Sequence, residues 1–272
     1  MRSRGAVLIW AAVVAILAFL FVPVAIIVVY AFSAAPIPAW PPTGFALHWF
    51  ADTWKDDEVR EALLLSVEVA TVATAIAILL GTLAAMAVAR MRSAGREVVS
   101  FVVVLPIALP GILTGMALAS YFALWGFNLS YWTIVAGHAT FCVVIVYNNV
   151  IARLRRLPHS LAEASSDLGA DAFMTLRRVM LPMMASAIGA GGMLAFALSF
   201  DEVIVTTFTA GAQNTLPLWI FGAIRLGQKL PEVNVVVVVI ILFTTLPVLL
   251  AQALIGESSR APSAPGLRVR RP

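Results

Sequence analysis

The chain has 272 residues, of which 61% are hydrophobic and only 12% charged, with a mean hydropathy of +0.97. Soluble domains are roughly a quarter charged and about half apolar, so a soluble enzyme is excluded. The net charge of +4 does not indicate nucleic-acid binding, because the 18 Lys and Arg cluster at the ends of apolar runs.

Six apolar segments follow in order: Val7–Phe32, Ala62–Ala89, Val98–Leu124, Trp132–Ile151, Met183–Phe200 (extendable to Ala210) and Val233–Ile255. Each is long enough to cross a hydrocarbon core of roughly 30 Å as a helix. Strands are excluded, since an isolated strand leaves its backbone groups unsatisfied in lipid. The expected fold is therefore all-α, a polytopic membrane protein with six transmembrane helices. The first segment follows Met-Arg-Ser-Arg and is too long for a signal peptide, so it reads as an uncleaved anchor. Pro23, and Pro106 with Pro110 in the third segment, predict kinks.

Basic residues set the orientation. With both termini cytoplasmic, the inner side holds Arg2, Arg4, Arg90, Arg92, Arg96, Arg153, Arg155, Arg156, Arg177, Arg178, Arg260, Arg268, Arg270 and Arg271. Only Lys55, Arg60, Arg225 and Lys229 remain outside, as the positive-inside rule requires. The acids lie the other way, with Asp52, Asp56, Asp57, Glu58, Glu61, Asp201, Glu202 and Glu232 at the outer side. The transmembrane domain is expected over 1–256. A Pro-, Ser- and Arg-rich cytoplasmic tail, 257–272, is expected to be disordered.

The inner loop, 152–182, carries the most information. Ser160 and Glu163 have capping-box spacing, and Pro158 lies just upstream, so a short helix starts here. Gly169 suits the left-handed position that ends it, and Asp171 can cap a second short helix. Pro182 is expected to separate that second helix from the next membrane span. Two rigid helices outside the bilayer are suited to receiving a push from a soluble partner; the plainer reading is a connector.

This loop resembles the signature of ATP-binding-cassette importer permeases, E-A-A-x3-G-x9-I-x-L-P, the EAA motif. Glu163, Ala164, Gly169, Leu181 and Pro182 match it in spacing, while Ser165 and Val179 replace an Ala and an Ile. Leu194–Glu202, Thr215–Pro217 and Pro231–Asn234 resemble the spermidine/putrescine permeases, their C-type subunit in particular. The resemblance implies a type I importer (MetI-like) permease fold in a bacterial inner membrane. It implies that the loop docks into a cleft on an ATPase dimer, whose closure switches the permease pair from inward-facing to outward-facing. It also implies a second permease subunit in a heterodimer, an extracytoplasmic substrate-binding protein and a cationic cargo. No cofactor is expected in this chain; ATP and Mg belong to the partner ATPase. The sequence agrees, having no G-x4-G-K-[ST] loop to hold a nucleotide phosphate.

Asp201 and Glu202 end the fifth apolar run. At about 1.5 Å per residue Asp201 stands some 27 Å above Met183. Carboxylates at membrane depth are costly and mark ion or substrate routes, and one can replace the hydration of an ammonium group. They read either as cation-contacting residues, Asp201 foremost, or as an interfacial pair that ends the helix. Glu68 is a third candidate, two turns inside the second segment. His48, His138 and His159 lack metal-ligand spacing, and the lone Cys142 reads as a small apolar residue. Gly81-x3-Ala85 and Gly111-x3-Gly115 suit close helix packing. Two alternatives remain: another small-solute cargo, or a stand-alone secondary transporter, which leaves the motif unexplained.

Overall fold

The computed structural model describes residues 4–42, 44–91, 93–158 and 160–258. Among the described residues twelve α-helices follow one another: α1 (Arg4–Ala31), α2 (His48–Lys55), α3 (Asp57–Arg90), α4 (Ser93–Ala108), α5 (Gly111–Leu124) and α6 (Tyr131–Leu154). Then come α7 (Ser160–Asp167), α8 (Ala172–Thr175), a π-helical turn (Leu176–Met180), α9 (Leu181–Phe200), α10 (Ile204–Thr209), α11 (Leu216–Leu226) and α12 (Leu230–Ser258). Four described helices are individually long and apolar enough to span a membrane: Gly5–Ala31, Asp57–Arg90, Tyr131–Leu154 and Ala172–Phe200. A broken pair, Gly95–Ala108 with Gly111–Leu124, and the 29-residue α12 correspond to the other two expected segments. The tail expected over 257–272 lies, from residue 259 on, outside the described residues.

The third segment is not one straight span. It bends by 100° between α4 and α5. Pro110 lacks the N–H that would continue the ladder and biases Leu109 away from helical angles, so the chain turns there. Pro106 stays inside α4, and Pro23 stays inside an unbroken α1. The expected separation at Pro182 is also corrected. Residues Ala172–Phe200 form one continuous 29-residue helix, because the turn before the proline widens to π form. There the Leu181 N–H donates to the Leu176 carbonyl, an i to i−5 bond that makes room for the proline ring.

The chain divides into two compact units. One comprises residues up to Asp56 and from Ala223 onward. In it Ala31, Val235 and Val238 form a small core with Val28, Phe32, Trp49 and Phe50, so α1, α2 and α12 meet. Trp49 donates its indole N–H to the Ser33 carbonyl at 3.0 Å, and Lys229 pairs with Asp56 at 2.7 Å. Both partners of that ion pair belong to the side expected to be outer.

The other unit, Asp57–Gly222, is built around α6. Two-thirds (67%) of α6's apolar window is buried, against 28% for α3 and 22% for the α8–α9 helix. Lipid is as apolar as leucine, so close backbone approach, rather than hydrophobicity, holds such helices together. Gly81 supplies that approach: a Cβ there would lie 2.8 Å from the Val143 carbonyl oxygen and 2.9 Å from Val146 Cβ on α6. Gly115 does the same between α5 and Phe208 of α10. Ala77, Ala85, Val88, Phe141, Cys142, Val146, Val150 and Met184 fill the core between α3, α6 and α9.

Candidate functional site

The motif segment forms one short helix, α7, that turns through Gly169 into α8, the first turn of the long Ala172–Phe200 helix. After α7 the Ala170 N–H donates to the Ser165 carbonyl (3.1 Å) and the Gly169 N–H to the Ser166 carbonyl (2.9 Å). These are the two bonds of a Schellman turn, and Gly169 takes its left-handed position at φ +81°. Asp171 then accepts the Met174 N–H at 2.7 Å and caps α8. Ser165 and Thr175, both buried, join their hydroxyls at 2.9 Å across the two helices. Ser165, one of the two departures from the motif, therefore has a contact that the alanine could not make.

Glu163, Ala164, Gly169, Leu181 and Pro182 are all exposed in this chain. So are two residues that the sequence did not single out, Leu168 at 89% and Phe173 at 68%. Large apolar side chains left exposed on a charged segment mark a contact surface. Arg153, near the end of α6, donates its Nε–H to the Met183 carbonyl at the start of α9 at 3.0 Å. Beside it a cleft of about 450 Å³ opens, lined by Asn148, Asn149, Arg153, Arg156 and Ser186. Tyr147, next to that asparagine pair, is buried and hydrogen-bonds Ser100 at 2.8 Å.

The carboxylate pair lies at the opposite end of the same long helix, and its two members differ. Asp201 follows the last residue of α9 and is exposed. Its N–H returns to the Ala197 carbonyl at 3.2 Å, so its place is set through the backbone. Glu202 is half-buried and bends forward: its Oε1 accepts the Val205 N–H at 2.9 Å, and its carbonyl accepts the Thr206 hydroxyl at 2.6 Å. A carboxylate on the free N–H groups of a first helical turn is the favoured arrangement, and here it starts α10. Glu68 is exposed on α3, away from the pair in sequence and in helix. Asp201 and Glu202 are chain neighbours at the α9–α10 junction, and Glu68 stands on a different helix.

A further polar contact at this junction comes from a residue that spacing had set aside. His138, on α6, is 1% exposed and touches both Ser199 and Thr206 at 2.8 Å. Sequence could have hinted at it, since Ser199 and Thr206 flank the carboxylates with hydroxyls in an otherwise apolar run. Among the described residues no group of three or more His, Cys, Asp or Glu could hold a metal ion.

Residues 77–260 match the family described as the binding-protein-dependent transport system inner membrane component. The chain belongs to that permease family. The match takes in the motif segment, the α9–α10 junction and α11. The spermidine/putrescine transport system permease protein PotC of Escherichia coli K12 is 31% identical over 248 residues, 90% of this chain and 93% of that protein. PotC of Haemophilus influenzae is 30% identical over 89% of this chain and 94% of its own length. The putrescine transport system permease protein PotI of Escherichia coli K12 is 32% identical over 85% of each chain. A bacterial ABC transporter that imports the acidic polysaccharide alginate shares the fold, with a TM-score of 0.65 at 16% identity over 94% of this chain and 98% of that one. An amino acid ABC transporter also shares it, with a TM-score of 0.55 at 16% identity over 79% of this chain and 100% of that one.

Membership makes the chain a multi-pass inner-membrane transport subunit and not a catalyst. It works with an ATPase and with a substrate-binding protein.

Proposed function

We propose that this permease moves polyamines, spermidine or putrescine, from a binding protein into the cytoplasm, with both termini and α7–α8 on the cytoplasmic side. The observation that carries the reading is the exposed Asp201 at one end of a helix whose other end holds the motif. The identity of about 31% with PotC over nine-tenths of the chain supports the cargo.

Ala172–Phe200 is one helix of 29 residues, about 43 Å long at 1.5 Å per residue. A push on α8 by a closing ATPase is therefore delivered along a single rod to Asp201. Glu163, Ala164 and Gly169, with Leu168 and Phe173, form the docking face; Leu181 and Pro182 hold α9 in line behind the π turn. ATP and Mg act on the partner ATPase, and no cofactor is assigned to this chain. A polyamine loses hydration on entering the pathway, and the Asp201 carboxylate restores part of it as an ion pair. Glu202 supports the junction, and Glu68 is a secondary contact on α3. Arg153 and Arg156 at the cytoplasmic cleft disfavour a resting polycation there, so cargo passes this end without being held. The other half of the pathway comes from a second, non-identical permease subunit.

The test is uptake of labelled spermidine and putrescine by the complete transporter in liposomes, with ATP turnover measured in parallel. Uptake is expected only with ATP and the loaded binding protein. Full ATP turnover without polyamine uptake would reassign the cargo, and uptake without ATP would remove the importer reading.

A further inference from the structure

His138 ties together three helices at the junction that carries Asp201 and Glu202. Its Nδ1 lies 2.8 Å from Ser199 Oγ near the end of α9, and its Nε2 lies 2.8 Å from Thr206 Oγ1 on α10. The Thr206 hydroxyl has one proton, and that proton goes to the Glu202 carbonyl at 2.6 Å. Thr206 must then accept from the ring, so the network assigns the ring proton to Nε2 and leaves Nδ1 to accept from Ser199. The bonds run in one direction: Ser199 to His138, His138 to Thr206, Thr206 to the Glu202 carbonyl. Its two ends, Ser199 and Glu202, flank Asp201.

We infer that His138 is a positioning residue: its neutral, Nε2-protonated ring fixes the angle between α9 and α10 and so aims the Asp201 carboxylate. The inference rests on the proposed role of Asp201 in the pathway. Three residues, 201–203, link the two helices, and among the described residues no hydrogen-bond donor holds the Asp201 carboxylate itself. Its direction therefore follows the junction, and the junction follows the histidine. An apolar residue of similar volume would still allow folding. Thr206 would keep its bond to Glu202, and Ser199 could return its proton to a carbonyl one turn back. What would be lost is the link between them.

The test compares His138→Leu, His138→Gln, Thr206→Val and the double variant His138→Leu/Thr206→Val in the assembled transporter. Maximal spermidine uptake, the KM for loaded binding protein, ATP turnover and thermal midpoint are measured for each. His138→Leu and Thr206→Val should each lower maximal uptake about tenfold with KM and ATP turnover unchanged, because one chain of hydrogen bonds is broken in both. The double variant should fall no further than about tenfold, since losses within one network do not add. His138→Gln, which keeps a donor toward Thr206, should recover uptake. The imidazole 15N shifts of histidine-labelled wild-type complex should show the Nε2–H tautomer. Wild-type uptake in His138→Leu, multiplying losses in the double variant, or an Nδ1–H tautomer would each overturn the inference. An Asp201→Asn control separates the two levels. If it transports normally, the pathway reading fails first; if it is inactive while His138→Leu is normal, only the histidine inference fails.

Discussion

The two ends of the Ala172–Phe200 helix are built by opposite means. At the motif end the caps and the contact between α7 and α8 are local: Gly169 to Ser166, Asp171 to Met174, and Ser165 to Thr175 ten residues apart. At the carboxylate end the deciding contacts reach 61 and 68 residues back along the chain, to His138. The local end is exposed and keeps its shape by caps, which work in water and survive the approach of a partner. The distant end is buried, where each hydrogen bond is stronger and each orphaned group more costly. One end is thus suited to being struck, and the other to holding an aim.

Asp201→Asn gives the largest expected effect. It keeps the shape of the side chain and removes the charge, so polyamine uptake should fall to background while the complex still assembles. Uptake within about twofold of wild type would break the assignment of aim to this end, since a lone intramembrane charge that can be neutralised without loss has no transport role. Next is Gly169→Val at the other end. Nothing lies within 4 Å of a Cβ placed there, so the penalty is backbone strain alone. A β-branched residue at φ +81° costs at least about 1–2 kcal/mol, enough to open the α7–α8 angle. Co-purification of the ATPase should drop about tenfold or more, whereas Gly169→Asn, which tolerates the left-handed region, should retain most of it. Equal binding by both variants would mean that the angle does not matter. The paired change Leu168→Ser and Phe173→Ser should come third. Both side chains are exposed, so the thermal midpoint should hold while ATPase affinity falls several-fold, about 1 kcal/mol or more.

The same contrast explains what could be read from sequence. Bilayer thickness dictates helix length, so the six apolar runs were visible, and so were α7 and α8, whose caps are local. Pro110 announced a bend, but not its 100°, which depends on α5 packing against Phe208 of α10 through Gly115. Pro182 misled because a proline does end a ladder of i to i−4 bonds, and a π turn leaves no periodic mark in five residues. The division of labour between Asp201 and Glu202 was hidden for a related reason. Adjacent carboxylates look alike until the Val205 N–H turns back to engage only that of Glu202. His138 was hidden most completely, since its partners are adjacent only in the folded bundle.

The smallest expected effect is also the closest test of locality. Ser165→Ala restores the residue usual in the motif and removes the hydroxyl that meets Thr175. Net hydrogen bonds of this kind contribute about 0.5–1.5 kcal/mol, and Thr175 can redirect its proton to a carbonyl one turn back. Transport should stay within about twofold of wild type, with faster amide exchange around Ala170–Ala172 as the measurable trace. Thr175→Val should behave similarly, and the double variant should be closer to wild type than either single one. Replacing both partners by apolar groups of similar shape leaves nothing unsatisfied. At the His138 junction no such recovery is expected, because Ser199, His138, Thr206 and the Glu202 carbonyl form a chain of four and not a pair. If Ser165→Ala were as damaging as His138→Leu, the motif end would depend on its buried contact as heavily as the carboxylate end does, and the two ends would no longer differ in kind.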